Sequence, residues 1–214
     1  MSTADRKPAP GATHAVTNQP PPLEDFNAFD DDFALREALE REGGGWATEQ
    51  ARAFGERAGS AEVIEWARLA NDYGPKLKTH DRFGHRLDEA EFHPAYHELM
   101  ALSVAHGVHS LAWTGPAGRA HAGRAALQVL QPQAEAGTGC PITMTHSGVP
   151  ALRHQPEIAA EWEPRLLTTR YDRRMIPAGQ KTGAIMGMAM TEKQGGSDVR
   201  SNTTQATPLG EGGP

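Results

Sequence analysis

Hydrophobic positions follow two different spacings along this chain. Between Asp32 and Leu167 apolar residues recur every three or four residues, which is typical of amphipathic helices. From Ala184 the spacing changes, because Met186, Met188 and Met190 alternate with other residues, as the side chains of a strand do. The pattern predicts a helical region, a crossover up to about residue 183, and then a β-strand.

The helical spacing is interrupted by glycine, proline and polar runs that mark helix ends. Ser60 is a suitable N-cap, Pro94 suits a first helical position, and Pro132 is expected to kink or end its helix early. Residues 74–91 are polar and charged, and we expect a long connection with little regular structure and a turn at 81–84. The predicted helices are one from about Asp32 to the glycines at 43–45, Ala47–Arg57, Glu62–Asn71, Pro94–Trp113, Ala117–Glu135, Ile142–Arg153 and Pro156–Leu167.

The charge and composition of the chain mainly exclude classes of protein. The net charge is −6, with lysine and arginine scattered among acids, so the chain lacks the basic face typical of nucleic-acid binders. A single cysteine excludes an internal disulfide, and no apolar run is long enough to cross a bilayer. With no export signal at the start, the sequence predicts a soluble, cytoplasmic protein.

Three smaller motifs suggest chemistry that the residues do not strongly support. His93 and His97 have the spacing of a metal-binding pair on a helix, but no third ligand accompanies them, which favours capping and packing roles. Cys140 stands at a helix start, where a thiol can become reactive, yet a small buried hydrophobic residue is the simpler interpretation. The acidic run at 30–32 is explained by its place beside a helix N-terminus.

The loop after the predicted strand carries the most informative polar residues. Thr191 and Ser197 offer hydroxyls, and Gly195 and Gly196 offer backbone that no side chain covers. A flat cofactor with a phosphate arm, such as a flavin, could use these groups. From the residues alone, an ordinary polar turn remains the more economical alternative.

A resemblance to a known family favours the flavin-binding interpretation of this loop over an ordinary turn. The run Met-Thr-Glu-x-x-Gly-Gly-Ser-Asp at 190–198 resembles the flavin-binding signature of acyl-CoA dehydrogenases. Further runs resemble the AidB-like, alkylation-response branch of that family, and the likeness extends from about Asn18 to Thr204. These runs are Phe92–His97, Cys140–Thr145, Thr191–Val199 and Ser201–Thr204.

The resemblance implies a fold class and a domain order. The expected fold is mainly α, an acyl-CoA dehydrogenase-like amino-terminal helical domain followed by the first strand or strands of a truncated middle β-domain. The expected divisions are a flexible arm at 1–22, which is rich in proline, the helical domain at 23–180, and the start of the β-domain at 181–214. The chain is interpreted as an amino-terminal fragment.

The resemblance also implies a cofactor and a reaction. It implies an FAD-dependent oxidoreductase acting on the CH–CH bond of acyl thioesters, with the catalytic base in a carboxyl-terminal domain that lies outside this chain. We therefore expect the isolated chain to be inactive and to hold FAD weakly. The implied cofactor-binding residues are Met188, Met190, Thr191, Gly195, Gly196 and Ser197. The implied substrate-binding residues are Thr143, Met144 and Ser197.

The partners implied by the resemblance are an acyl-CoA-like small molecule and, in the full-length protein, further copies of the same chain. DNA would be bound only through the carboxyl-terminal region. Two alternatives stay open at this point. One is a non-catalytic helical module for binding or oligomerisation, and the other is a DNA-protective flavoprotein.

Overall fold

The computed structural model describes residues 10–14, 18–207 and 210, so the flexible arm predicted at 1–22 lies partly outside the described residues. Short 3-10 turns occupy Gly45–Ala47, Ala178–Gln180 and Val199–Ser201. The α-helices are α1 (Phe33–Arg41), α2 (Thr48–Ala58), α3 (Ala61–Asp72), α4 (Pro94–Ala105), α5 (Leu111–Thr114), α6 (Ala120–Ala134), α7 (Gly139–Leu152) and α8 (Pro156–Leu166). The strands are β1 (Lys76–His80) and β2 (Arg86–Glu91).

The helix starts have the local causes that the sequence indicated. The side chains of Asp32 and Ser60 accept hydrogen bonds from backbone N–H groups of the first turn in α1 and α3, which satisfies donors that have no partner inside the helix. His93 caps α4 in the same way, through Nδ1, and Pro94 occupies the first position. The predicted capping roles of Ser60 and His93 are confirmed, and the cap at Asp32 is an additional finding of the structure.

The core lies where α6 packs against α2 and α5, with α3 on α4 and α7 on α8. Small residues allow close approach in this core: a Cβ on Gly55 would lie 2.6 Å from the backbone nitrogen of Phe29. The largest side chains that it buries almost completely are Phe29, Phe54, Met100, Leu127, Leu130, Ile142 and Leu166. The protein is mainly helical, as the fold prediction stated.

The expectation of an irregular connection over residues 74–91 was wrong. β1 and β2 form an antiparallel hairpin in which Lys76 pairs with Glu91 and Lys78 with Glu89. The turn is closed by Asp81, whose side chain accepts from the backbone of Phe83 and His85, so the predicted turn is confirmed. Every residue of both strands is exposed. Neither face of the hairpin is buried, so neither face has to be apolar, and the sequence lacks the apolar-polar alternation that would have indicated strands.

Two helix boundaries also differ from the predictions. The single helix expected over 94–113 is divided, because the chain turns at Gly107 with φ +71° before the short α5 begins. Pro132 stays inside α6, which ends two residues later at Ala134. Proline lacks the N–H that would bond to the Gln128 carbonyl, and α6 continues for only two residues beyond it.

Residues 184–190 have no regular secondary structure and form no strand with any described residue, so the predicted β-strand is absent from the described part of the chain. A strand needs a neighbouring strand to accept its backbone N–H groups. Here the N–H groups of Met186 and Met188 are directed instead to side chains of α7. Among the described helices, none combines the length and the apolar character that a bilayer-crossing segment requires.

Candidate functional site

The segment 184–190 lies along α7 and is held there by two side chains. The Met186 N–H donates to Oγ1 of Thr145 over 3.0 Å, and that hydroxyl donates to the Pro141 carbonyl over 2.8 Å. Two residues further, the Met188 N–H donates to Sδ of Met144 over 3.3 Å. Thr145 is fully buried, so a contact in the protein interior fixes the start of the segment.

A glycine in α7 makes this close approach possible. A Cβ on Gly148 would lie 2.2 Å from Sδ of Met186, although real side chains keep a larger separation. The Met186 side chain therefore fills the space that a larger residue at position 148 would occupy. Thr145 and Gly148 lie three residues apart on one helix face, and both contact Met186 of the segment.

A shallow cavity of about 390 Å³ lies beside α7 and the segment. Its lining includes Thr143 and Met144, which are predicted substrate-side residues, and Met188, which is a predicted cofactor-side residue. Cys140 also lines it and is exposed, which corrects the interpretation of that residue as a buried hydrophobic side chain. Cys140 is exposed because α7 begins at Gly139 and Cys140 lies in its first turn on the outward side.

The loop at 191–204 is closed by the carboxylate of Glu192. One oxygen accepts the backbone N–H groups of Thr203, at 2.8 Å, and Thr204, and also the Thr204 hydroxyl. These hydrogen bonds, led by the Thr204 hydroxyl, lower the pKa of Glu192. Asn202 ties the other end by donating to the Met190 carbonyl over 2.6 Å. The carboxylate thus gives the loop its shape.

The remaining predicted cofactor residues lie on the outside of this loop. Thr191, Gly196 and Ser197 are exposed. The hydroxyls of Thr191 and Ser197, and the backbone amides of Gly196 and Ser197, form no hydrogen bond with the described part of the chain. A Cβ on Gly196 would lie 3.1 Å from Thr191, so glycine keeps the loop compact. Gly195 differs, because its N–H already donates to the Glu192 carbonyl over 3.1 Å.

Available hydroxyl and amide donors fit a group with a polar ring edge and a phosphate arm. The structure brings Thr143, Met144 and Met188 to one cavity. Met190, Thr191 and Gly195–Ser197 lie further along the same segment and do not line that cavity. No group of three histidine, cysteine or acidic residues suited to a metal occurs within residues 10–14, 18–207 and 210.

A second and larger cavity, of about 630 Å³, was not indicated by the sequence. It lies between the hairpin, α4 and the strap, which we define as residues 168–185. In its wall the Tyr171 hydroxyl is 2.9 Å from Nδ1 of His97. Burial lowers the pKa of His97 and raises that of Tyr171 to about 12. Seventy-four residues separate this pair, so no local pattern could have revealed it.

The strap carries an arginine cluster that is partly neutralised. Arg174 donates to both carboxylate oxygens of Asp172, at 2.9 and 2.6 Å, and this contact, with backbone N–H bonds, holds the pKa of Asp172 well below its usual range. Arg170 and Arg173 form no ion pair with the residues that the structure describes.

Comparison with known proteins gives this geometry a family context. Residues 18–173 match the model of the adaptive response protein AidB N-terminal domain. The chain is 48% identical over 202 residues to AidB of Escherichia coli (strain K12), a candidate acyl-CoA dehydrogenase by name. That alignment covers 94% of this chain and 37% of the relative, so the chain spans little more than a third of the relative's length.

Solved structures agree with the fold. ACDH-11 of Caenorhabditis elegans in complex with C11-CoA has a TM-score of 0.69 and 25% identity, over 93% of this chain and 33% of that one. The apo form of Bd2924 has a TM-score of 0.71 at 24% identity, over 88% of this chain and 38% of its own. The helical arrangement is therefore shared with the amino-terminal region of much longer proteins.

Proposed function

The chain belongs to the family of the AidB N-terminal domain, and from that premise we propose that it forms one wall of a flavin and acyl-thioester site in an FAD-dependent oxidoreductase of the acyl-CoA dehydrogenase type. The observation that carries the proposal is the joining of the segment 184–190 to α7 through Thr145 and Met144. This joint brings Met188, which we assign to the cofactor, beside Thr143 and Met144, which we assign to the substrate.

The proposed roles follow from the groups that each residue leaves available. The Thr191 hydroxyl and the backbone near Met188 and Met190 hydrogen-bond to the polar edge of the flavin ring. The amides of Gly196 and Ser197, and the Ser197 hydroxyl, bind the phosphate arm, because backbone N–H groups and hydroxyls bind phosphate oxygens well. When bound, FAD accepts the hydride, and the protein positions it.

On the substrate side, Thr143, Met144 and Ser197 contact the acyl thioester. Met144 has a flexible, polarizable side chain that adapts to apolar ligands, while Thr143 and Ser197 offer hydroxyls to polar parts of the thioester. A CoA ester is bound in ACDH-11, a structural neighbour, which supports this class of ligand. A base and a hydride acceptor must both flank the substrate for turnover, so this wall alone is inactive.

The proposal extends to domain organisation and biological setting. Residues 23–180 form the helical domain, residues 181–214 begin the middle β-domain, and the longer protein assembles from several copies in the response to DNA alkylation. The family description as an adaptive response protein supports that setting. Any contact with DNA belongs to regions beyond this chain, since the net charge here is −6.

The test is a titration of the isolated, isotope-labelled chain with FAD, followed by amide chemical shifts. The purified chain should be colourless, and FAD should bind with a dissociation constant of about 1 mM or weaker, equivalent to roughly −4 kcal/mol, because only one wall is present. The shift changes should be concentrated in Met188–Ser197.

Two variants make the titration specific. Thr191→Val should reduce the shift changes, whereas Thr169→Val, an exposed threonine of the strap, should leave them as they are. Shift changes that avoid the segment 188–197 would contradict the proposal. So would a purified chain that retains flavin without any other polypeptide.

A further inference from the structure

A pocket of about 420 Å³ lies apart from the proposed flavin wall, between the end of α3, the start of α4 and the loop that leads from α6 into α7. Its volume is within the range of small-molecule sites. No described residue lines both this pocket and the cavity beside α7, and none of residues 184–197 lines the pocket. The proposed flavin and acyl-thioester chemistry therefore leaves the pocket without a role.

The pocket is lined in part by a buried carboxylate, that of Glu135, a residue that is only 7% exposed. Its two oxygens accept the backbone N–H groups of Gly137 and Thr138, at 2.6 and 2.7 Å. It forms no ion pair with any side chain in the described part of the chain. A glutamate buried to this extent is usually paired with a cation. The two N–H groups compensate part of its charge, and a cation in the pocket would compensate the rest.

The charge of Glu135 acts on the wall of the pocket. Burial and, after it, the charge of Glu135 raise the pKa of Tyr96, whose ring lines the pocket. The same negative charge that disfavours a tyrosinate at this wall favours a bound cation. Direct contact with the carboxylate is unnecessary, because charges interact over several ångströms in an interior of low dielectric constant.

Aromatic rings in stacked pairs form another part of the lining. The ring centroids of Phe92 and Tyr96 are 4.2 Å apart, and those of Tyr73 and His93 are 5.3 Å apart. Rings whose positions are fixed by stacking lose little entropy when a ligand packs against them. Aromatic rings attract cations electrostatically, and a methylated ammonium group also gains from apolar contact with them.

No side-chain charge on the wall opposes a cation. The described lining contains neither lysine nor arginine. His93 is neutral, because its Nδ1 accepts the Ala95 N–H over 3.1 Å and must therefore carry a lone pair. Tyr73 is 55% exposed and Asn71 is also exposed, so the pocket is open to solvent beside the end of α3.

We propose that this pocket binds a small organic cation with a methylated ammonium group, which is attracted by the carboxylate of Glu135 and packs against the rings of Tyr73 and Tyr96. Two independent observations support the proposal. One is the buried carboxylate without an ion-pair partner in the described chain, and the other is the aromatic wall without a basic side chain. The site does not rest on the proposed flavin function, so a failed flavin titration leaves it intact.

The probe is choline, titrated at pH 7.5 into the isotope-labelled full chain and followed by amide chemical shifts. The control compound is 3,3-dimethyl-1-butanol, which has the same shape but a carbon atom in place of the charged nitrogen. Choline should bind about tenfold more tightly than this alcohol, a difference of about 1.4 kcal/mol, because cation–π attraction at a partly desolvated site is of that order. Equal affinities, or shift changes that avoid the residues lining the pocket, would overturn the proposal.

Phosphatidylcholine presents the same ammonium group on a membrane, so sedimentation with phosphatidylcholine vesicles is measured beside the choline titration. We expect the chain to stay in the supernatant, because the ligand must enter between three elements of the fold. Sedimentation with the vesicles would assign the site to a lipid headgroup and overturn the small-molecule class.

Two variants test the two parts of the wall. Glu135→Gln removes the charge and keeps a carbonyl oxygen, so it should weaken choline binding about tenfold and leave the alcohol unchanged. Glu157→Gln, an exposed position on α8 outside the pocket lining, makes the same change of charge and should alter neither. An unchanged choline affinity in Glu135→Gln would mean that Glu135 only caps the start of α7, which refutes the proposal.

Tyr73→Leu keeps the test decisive if the substitution of the buried Glu135 prevents folding, because Tyr73 lies at the exposed side of the pocket. It should weaken choline binding about threefold, in keeping with one cation–π contact at an exposed site. Phe33→Leu, at an exposed aromatic residue of α1, is the matched control. Equal choline affinities of the Tyr73 and Phe33 variants would contradict the aromatic wall.

Discussion

Thr145 provides the sharpest test of how the segment 184–190 is positioned. Thr145→Val keeps the shape of the side chain and removes the hydroxyl that accepts the Met186 N–H over 3.0 Å. The Pro141 carbonyl keeps its backbone partner inside α7, so the Met186 N–H is the group left without a partner. Leaving a partly buried donor unpaired costs about 1–2 kcal/mol. That cost corresponds to an increase of about five- to thirtyfold in the local opening of the Met186 amide.

The assay is hydrogen exchange of the Met186 amide, combined with urea denaturation of the same variants. Thr145→Ser is the matched control, because it keeps the hydroxyl and loses only a buried methyl group, at about 1 kcal/mol. Both variants should lower the free energy of unfolding, but only valine should accelerate exchange at Met186 relative to the core amides. A wild-type exchange rate at Met186 in the valine variant would refute the assigned role of the hydroxyl.

Three further predictions concern the helical domain. Ser60→Ala removes the cap of α3, a hydrogen bond from the Val63 N–H over 3.3 Å, and should lower the free energy of unfolding in urea by about 1 kcal/mol. Pro132→Ala restores an N–H that can bond to Gln128 and removes a steric clash inside α6, so the same measurement should show a gain of about 1 kcal/mol. Burial lowers the pKa of His146 to about 4, below its ordinary value of about 6.5. Its contribution to stability is therefore complete above about pH 6.5 and is lost as the pH falls towards 4, and His146→Phe should flatten that decline in denaturation midpoints measured between pH 7 and 4.5.

The two cavities differ in how far the sequence could reveal them. Thr143, Met144 and Met188 were assigned through a resemblance in local runs, and the structure brings these three to one cavity. The cavity under the hairpin depends on pairs such as His97 with Tyr171 and His109 with Thr168. Each pair joins residues about sixty or more positions apart, and no short motif records such a contact.

The hairpin shows why pattern reasoning failed at one element. Its strands are exposed on both faces, and cross-strand pairs such as Lys76 with Glu91 and Lys78 with Glu89 accompany the pairing. The sequence offered only charge, which is equally typical of an irregular loop. Helices with one buried face carry a periodic signal instead, and six of the seven predicted ranges correspond to single helices, while the range 94–113 contains two.

The sequence by itself determined the mainly helical class, most helix boundaries and the caps at Ser60 and His93, because these depend on residues within one or two helical turns. Tertiary structure decided which groups meet. The N–H groups of Met186 and Met188 find acceptors on α7 instead of on a neighbouring strand, and Cys140 faces outward. Such outcomes depend on which surfaces pack together, and packing joins residues whose separation along the chain leaves no local trace.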